Sequence, residues 1–151
     1  MARTPIATAD EFSLAWESFF RATRRARGRS THAPLEGSGL SLPQYQLLER
    51  LRGCEALTVS ELAVSAGVAP PTATRMLDVL VRDGIARRGT AVHDRRAVMI
   101  TLTPAGREAV ETAAERVAAA RARIRDSLTP EEQEQAARLF RRLTAVVEEQ
   151  L

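Results

Sequence analysis

At 151 residues, the chain is long enough for one domain or for two closely joined subdomains. Its composition, with 44% hydrophobic and 27% charged residues, excludes a wholly disordered protein, and its net charge of +3 rests on arginine because lysine is absent. A single cysteine excludes an intrachain disulfide framework, and no apolar run approaches the length of a membrane span. The N-terminus has no signal-peptide pattern, so we expect a cytoplasmic protein.

Two helices are predicted in the N-terminal third. Thr8 and Glu11 have the spacing of a capping box, and apolar residues at helical spacing follow as far as Arg27. A loop rich in glycine and proline comes next. Ser41, three residues before a glutamine, then marks the start of a second helix that is predicted to run through Leu51.

The middle of the chain predicts a helix-turn-helix. A third helix begins at Thr58 and stops at Gly67, and a fourth begins near Pro70 and ends at Gly84, where glycine suits a left-handed cap. Two short helices joined by a turn that contains glycine have the dimensions of a helix-turn-helix. Such pairs occur in many folds, so the pair alone is weak support for DNA binding.

A predicted β-hairpin strengthens this interpretation. Residues 85–88 are predicted as a short strand, 89–96 as a polar connection and 97–102 as a returning strand. The residues of the returning strand that are predicted to face inward are Val98, Ile100 and Leu102. A hairpin directly after a helix pair is the wing of a winged helix.

Two long amphipathic helices are predicted in the last third, the first capped at Thr103 and the second at Thr129. Apolar residues repeat along both at intervals of three and four. Packing within one chain is one interpretation, but a compact winged helix has little surface to cover two such stripes, so we predict dimerisation through the two ends of the chain. The predicted interface residues are Val117, Ile124, Leu139, Phe140, Leu143, Val146 and Val147.

Three segments, taken in order, resemble the multiple-antibiotic-resistance regulator (MarR) family across nearly the whole chain. Residues 57–63 resemble the beginning of the family's helix-turn-helix, and residues 74–80, ahead of Gly84, resemble its recognition helix. Asp94-Arg95-Arg96 followed by residues 102–106 resembles the family's wing signature, which is its most specific motif.

The resemblance implies a mainly α-helical fold with a small β-hairpin wing, in which N- and C-terminal dimerisation helices flank a winged helix-turn-helix. It predicts three regions: residues 1–40 as an N-terminal helix and loop of the dimerisation region, 41–102 as the DNA-binding region, and 103–151 as the C-terminal dimerisation helices. The implied function is that of a transcriptional regulator, expected to be a repressor, that binds a pseudo-palindromic double-stranded DNA operator as a homodimer.

Candidate DNA contacts lie in the helix-turn-helix and in the wing. The N-terminal part of the recognition helix is expected in the major groove, where Arg75 is a candidate for bidentate contact with guanine, with a phosphate contact or a solvated side chain as the open alternatives. The resemblance implies that Arg96 enters the minor groove and that Asp94 orients it. For Thr58 and Ser60, helix capping is the favoured role. The candidate set is Thr58, Ser60, Pro71, Thr72, Thr74, Arg75, Asp94, Arg95 and Arg96.

The recognition helix departs from the family pattern at its start. Family members often have a serine or aspartate there and another hydroxyl soon after, whereas this chain has Ala69 and Pro71. Val79 and Val81 also stand where polar residues are common. The operator sequence of a relative therefore cannot be transferred to this chain.

The resemblance also implies an effector, because many family members respond to a small, often aromatic and anionic molecule bound between the DNA-binding and dimer regions. The aromatic residues placed to line such a crevice are Phe12, Trp16, Phe19 and Tyr45. Ordinary core packing is the competing and favoured interpretation of these four residues. No cofactor is predicted.

Cys54 offers a different sensing chemistry. Relatives that sense peroxide have their cysteine in the first helix with tyrosine partners, whereas Cys54 follows the second helix, so a small buried cysteine is the favoured interpretation. Together with His32 and His93 it forms no spaced metal cluster, and no nucleophile elbow, P-loop or dinucleotide fingerprint indicates an enzyme. The rival functions are a protein-interaction module and a sequence-tolerant nucleoid protein.

Overall fold

The computed structural model describes residues 9–30, 33–90 and 98–149. The helices in these ranges are α1 (Ala9–Ser30), α2 (Leu42–Leu48), α3 (Val59–Ala66), α4 (Pro70–Arg82), α5 (Pro104–Asp126) and α6 (Pro130–Glu148). The strands are β1 (Leu57–Thr58), β2 (Ala86–Thr90) and β3 (Val98–Leu102). The fold is thus mainly α-helical with a small antiparallel sheet, which confirms the predicted class.

Two compact units divide the chain, the first ending at Ala113 and the second beginning at Ala114, both within α5. The first unit contains the helix-turn-helix formed by α3 and α4, together with the whole sheet. The second contains the rest of α5 and all of α6. The predicted capping residue Thr8 lies outside the described residues, and α1 extends three residues beyond its predicted end at Arg27.

Reciprocal side-chain caps explain where α2, α3 and α6 begin. In α3, the Thr58 hydroxyl accepts from the Glu61 N–H at 3.2 Å, and the Glu61 carboxylate accepts from the Thr58 N–H at 2.8 Å. The same arrangement joins Ser41 to Gln44 and Thr129 to Glu132. Because the hydrogen bonds from Thr58 stabilise the ionised carboxylate, the pKa of Glu61 lies below its usual range.

The sheet has three strands in the order β1-β3-β2, all antiparallel. β3 pairs with β2 from Ala86 opposite Leu102 to Thr90 opposite Val98, which forms the base of the predicted hairpin. β2 is shifted forward from the predicted 85–88. The third strand, β1, was not predicted; it has two residues, and its Leu57 lies opposite Ile100.

The core of the first unit lies between the sheet and the helices of the winged helix. Its largest fully buried side chains are Leu40, Leu47, Leu48, Leu62, Leu77, Leu80, Ile100 and Val110. Of the three residues predicted to face inward from β3, Ile100 and Leu102 are buried, but the prediction for Val98 was wrong because it is 44% exposed. Val98 pairs with Thr90 at the end of the strand pair farthest from Leu102, beyond the reach of the core.

A polar junction joins the segment that follows α4 to the start of α5. The Thr103 hydroxyl donates to the Gly84 carbonyl oxygen at 2.7 Å and accepts from the Gly106 N–H at 2.9 Å. The Thr103 N–H donates to the Ile85 carbonyl oxygen at 3.1 Å. A Cβ atom on Gly106 would lie only 1.9 Å from the same oxygen, so glycine is required there. This close contact explains why a glycine stands at the end of the motif at residues 102–106.

The second unit exposes apolar side chains. No residue of α6 is buried, and its stripe of Leu139, Phe140, Leu143, Val146 and Val147 is between 36% and 58% exposed. Ile124 on α5 is 70% exposed. Across the described ranges, no helix combines the length and the apolar composition that a membrane crossing needs.

Candidate DNA-binding surface

The turn between α3 and α4 fixes the recognition helix on the core. Gly67 ends α3 in the left-handed conformation, with φ of 64°, and the Val68 N–H then donates to the Ala63 carbonyl oxygen at 3.1 Å. One face of α4 is held by the buried side chains of Ala73, Leu77 and Leu80. The opposite face is consequently turned to solvent.

Every residue of α4 that was predicted to contact DNA is exposed. These residues are Pro71, Thr72, Thr74 and Arg75. Arg75 forms no hydrogen bond or ion pair with another residue in the described part of the chain, whereas the Thr74 hydroxyl donates to the Pro70 carbonyl oxygen at 3.0 Å. The oxygen of Thr74 therefore remains available as an acceptor, and the guanidinium of Arg75 keeps all its donors.

An ion pair that the sequence analysis did not predict links α4 to the hairpin. Nη2 of Arg88 on β2 lies 2.7 Å from Oδ1 of Asp78 on α4. Asp78 is three residues after Arg75, on the same exposed face of the helix. The pair thus connects the surface of the recognition helix to the strand that begins the wing.

Thr58 and Ser60 stand at the start of α3. The Thr58 hydroxyl accepts from the Glu61 N–H and donates to the Glu61 carboxylate at 2.8 Å, so it serves as both hydrogen-bond donor and acceptor within the cap. Ser60 is exposed in the first turn. The favoured capping role is therefore confirmed for Thr58.

The wing residues Asp94, Arg95 and Arg96, like His93 and His32, lie outside the described residues. The described part of the hairpin brings Arg87 and Arg88 to the surface of β2. In the described ranges no cluster of three or more His, Cys, Asp or Glu side chains is placed to hold a metal ion.

Three of the four predicted pocket residues form part of an aromatic series along α1. Phe12 lies 5.9 Å from Trp16, and Trp16 lies 4.6 Å from Phe20, between ring centroids. Phe12, Trp16 and Phe19 are 59%, 40% and 53% exposed, so the favoured prediction that they are core residues of the chain was wrong. Tyr45 is different, since it is 2% exposed and its hydroxyl donates to Glu49 at 2.8 Å.

The favoured prediction of a buried Cys54 was also wrong. Cys54 is exposed because the chain leaves the helical core at Gly53, after a 3-10 helix that spans Glu49–Arg52.

The 3-10 helix also corrects the prediction of one regular helix through Leu51. It is fixed to α5 by Arg52, whose Nε and Nη2 donate to the two Glu111 carboxylate oxygens at 2.9 and 2.8 Å. This bidentate bond lowers the pKa of Glu111.

Comparison with known proteins identifies the family to which this surface belongs. Residues 40–98 match the family model described as MarR. Over 104 residues the chain is 33% identical to an uncharacterized HTH-type transcriptional regulator, YhbI of Bacillus subtilis. The alignment covers 67% of this chain and 68% of that relative. Over 111 residues the chain is 33% identical to the HTH-type transcriptional repressor Rv2887 of Mycobacterium tuberculosis, covering 74% and 80%.

Among solved structures, a mutant of MarR from E. coli in complex with operator DNA matches with a TM-score of 0.71. The match covers 90% of this chain and 98% of that chain at 22% identity, a level that shows the fold alone. Sequence and fold agree, and the chain belongs to the MarR family of winged helix-turn-helix, DNA-binding transcriptional regulators.

Proposed function

We propose that this regulator is a homodimeric repressor, that its two recognition helices bind the half-sites of a pseudo-palindromic operator, and that a small aromatic or anionic ligand releases it. In this proposal Pro71, Thr72, Thr74 and Arg75 face the major groove. Thr58 and Ser60, at the start of α3, face the phosphate backbone of the DNA. Asp94, Arg95 and Arg96 act in the wing at the minor groove.

The observation that carries the proposal is the two-sided character of α4. Three apolar side chains on one face are buried, while the face that begins with Pro71 and includes Arg75 is exposed and keeps a guanidinium group without a partner among the described residues. A guanidinium kept free in this way is suited to a phosphate or to the edge of guanine.

Apolar surface supports the homodimer. On α6, Phe140 is 58% and Leu139 56% exposed, and on α1, Phe12 is 59% and Phe19 53% exposed. Monomeric proteins rarely leave contiguous aromatic and aliphatic surface of this kind in water. A two-fold dimer covers each stripe with the same elements of a second copy. The similarity of this chain to Rv2887, which is a transcriptional repressor, supports the proposal that it represses transcription.

A footprint on DNA from the source genome tests operator binding. We expect DNase I protection of a pseudo-palindrome whose half-sites are about 10 base pairs apart, centre to centre. Arg75→Ala with Thr72→Ala should abolish this protection. Protection without sequence preference would indicate a nucleoid protein instead. If the chain protects no DNA, and its activity in the cell is unchanged by Arg75→Ala, the result would indicate a protein-interaction module.

Release by a ligand is tested with small aromatic carboxylates, beginning with benzoate and salicylate. The exposed rings of Phe12, Trp16 and Phe19 offer stacking surface, and arginines of the chain offer partners for a carboxylate. We expect a ligand to lower operator affinity, and Trp16→Ala to remove that response. Operator affinity that stays constant across the panel would contradict this part of the proposal.

The exposure of Cys54 favours a second candidate, thiol-based redox regulation. The thiol lines an open cavity of about 400 Å³ together with Arg52 and Arg107. In this case hydrogen peroxide should lower operator affinity in the wild type and leave Cys54→Ser unaffected. An equal response of both proteins to peroxide would reject this candidate.

A further inference from the structure

The first three residues of the recognition helix present no free backbone donor. Helix starts ordinarily leave N–H groups unpaired, and these can bind phosphate. In α4 the first two residues, Pro70 and Pro71, have no N–H. The N–H of the third, Thr72, donates to the Ala69 carbonyl oxygen at 2.9 Å. Contact through main-chain amides, a common way for a helix start to bind the DNA backbone, is therefore closed to these three residues.

The same end of the helix is apolar and exposed. Ala69 occupies the capping position without a side-chain hydrogen bond, unlike the hydroxyl residues that cap α2, α3 and α6. Ala69, Pro70 and Pro71 are all exposed. We call these three residues the apolar tip. The tip forms the part of a recognition helix that enters the major groove most deeply.

Pro71 is the member of the apolar tip that shares a helical face with Arg75. It precedes Arg75 by four residues and Asp78 by seven, which places the three on one helical stripe, and all three are exposed. Ala73 and Leu77, on the opposite side of the helix, are completely buried. Pro71 therefore leads the face on which the proposed DNA contacts stand.

The major groove offers few apolar partners for such a surface. Guanine, adenine and cytosine present hydrogen-bonding groups there, and thymine adds a C5 methyl group. A proline ring cannot bond to the polar groups, but it can cover the methyl group and remove it from water. Resting on the proposed operator binding, we infer that Pro71 recognises a thymine methyl group in each half-site and so contributes to specificity without a hydrogen bond.

Replacement of thymine by deoxyuridine isolates this contact, because uracil pairs with adenine in the same way and lacks only the methyl group. The probe is the duplex that the wild-type protein selects from a pool of random sequences, with each thymine replaced in turn. At one position in each half-site we expect replacement to weaken binding about four-fold, and replacement in both half-sites about sixteen-fold. Fluorescence anisotropy at one fixed salt concentration measures the affinities.

Pro71→Ser connects the effect to the protein, since serine is tolerated in the first turn of a helix and circular dichroism verifies the fold. This variant should bind the thymine and uracil duplexes equally well. Val64→Ser is the matched control, an apolar residue of α3 that is 82% exposed, and it should keep the full difference. A uracil series without any sensitive position, or a Pro71→Ser protein that keeps the difference, would overturn the inference. If the pool yields no enriched duplex, operator binding itself fails, and the inference fails with it.

Discussion

Arg75 is the residue on which base recognition depends in the proposed complex. It is exposed on α4 beside the apolar tip, and it forms no hydrogen bond or ion pair with another described residue. Its planar fork of donors matches the O6 and N7 acceptors of guanine, which no other base presents together. We therefore expect Arg75 to select a base pair as well as to attract the phosphate backbone.

Arg75→Ala should lower the preference for one base pair of the operator by about 1 to 3 kcal/mol, and other positions should keep their preferences. A series of single base-pair substitutions, titrated with both proteins, measures this. Arg82→Ala is the control, because that arginine lies near the end of the same helix and pairs with Asp83 at 3.2 Å. If Arg75→Ala weakens all sequences alike and lowers the salt slope by about one, Arg75 contacts phosphate instead.

Gly106 gives a second prediction at the scale of one residue, concerning stability. A Cβ atom there would lie 1.9 Å from the Ile85 carbonyl oxygen, so Gly106→Ala forces the start of α5 away from the segment that follows α4. We expect a loss of about 1 to 3 kcal/mol in the free energy of unfolding. Urea unfolding at one protein concentration measures it.

Gly53→Ala is the matched control for this substitution, since a Cβ atom at Gly53 would meet nothing within 4 Å. Its free energy of unfolding should stay close to that of the wild type. Equal stability of the Gly106→Ala and Gly53→Ala proteins would show that the junction between Thr103, Gly106 and Ile85 yields without cost, contrary to its tight geometry.

Between elements, the ion pair of Asp78 and Arg88 couples α4 to β2. Both side chains are partly exposed, at 58% and 38%, so the pair should stabilise the free protein by less than about 1 kcal/mol. Its importance should be greater on DNA, where an unpaired Asp78 carboxylate on the helix surface would face phosphates. The pair then serves to neutralise that carboxylate and to hold the root of the wing near the recognition helix.

Arg88→Ala should accordingly weaken operator binding, and adding Asp78→Asn should restore part of the affinity because the unpaired carboxylate is gone. A double-mutant cycle on the operator dissociation constant gives the coupling. Arg138→Ala is the control, since that arginine pairs with Glu134 at the same 2.7 Å on α6. Additive effects of the two substitutions would show that Asp78 and Arg88 act independently on DNA.

Local features of the elements could be predicted from the sequence. The caps at Thr58 and Thr129 depend on residues three positions apart, and the left-handed glycines at Gly67 and Gly84 depend on one residue each, so neighbouring letters were sufficient. The outward residues of α4 were predicted from the resemblance to a recognition helix, and they are exposed because Ala73, Leu77 and Leu80 form the buried side.

Features that depend on distant residues could not be predicted in this way. β1 is too short to show a periodic pattern and exists through its pairing of Leu57 with Ile100. The ion pair of Asp78 with Arg88 joins a helix to a strand, where no fixed spacing applies. The exposure of Cys54 depends on where the chain leaves the core, and the type of residue says little about that.

For the whole molecule, the apolar stripe of α6 determines the expected assembly. Leu143 is 36% exposed and Phe140 58%, with more of the stripe on either side. Burial of one such side chain contributes about 1.5 to 3 kcal/mol, and two-fold symmetry makes every contact count twice. Binding two half-sites with one dimer also raises affinity through the high effective concentration of the second recognition helix.

Leu143→Asp combined with Phe140→Ala should therefore convert the proposed dimer, of twice 16.5 kDa, into monomer or aggregate. Affinity for a full operator should fall much further than after the loss of one arginine, because the two half-sites would no longer be bound together. Sedimentation equilibrium at micromolar protein, paired with a gel shift, measures both effects. Arg141→Asp places the same charge on the polar side of α6 and should leave the dimer intact. A wild-type chain that sediments as a 16.5 kDa monomer and still protects a symmetric site would contradict the dimer and the proposed mode of operator recognition.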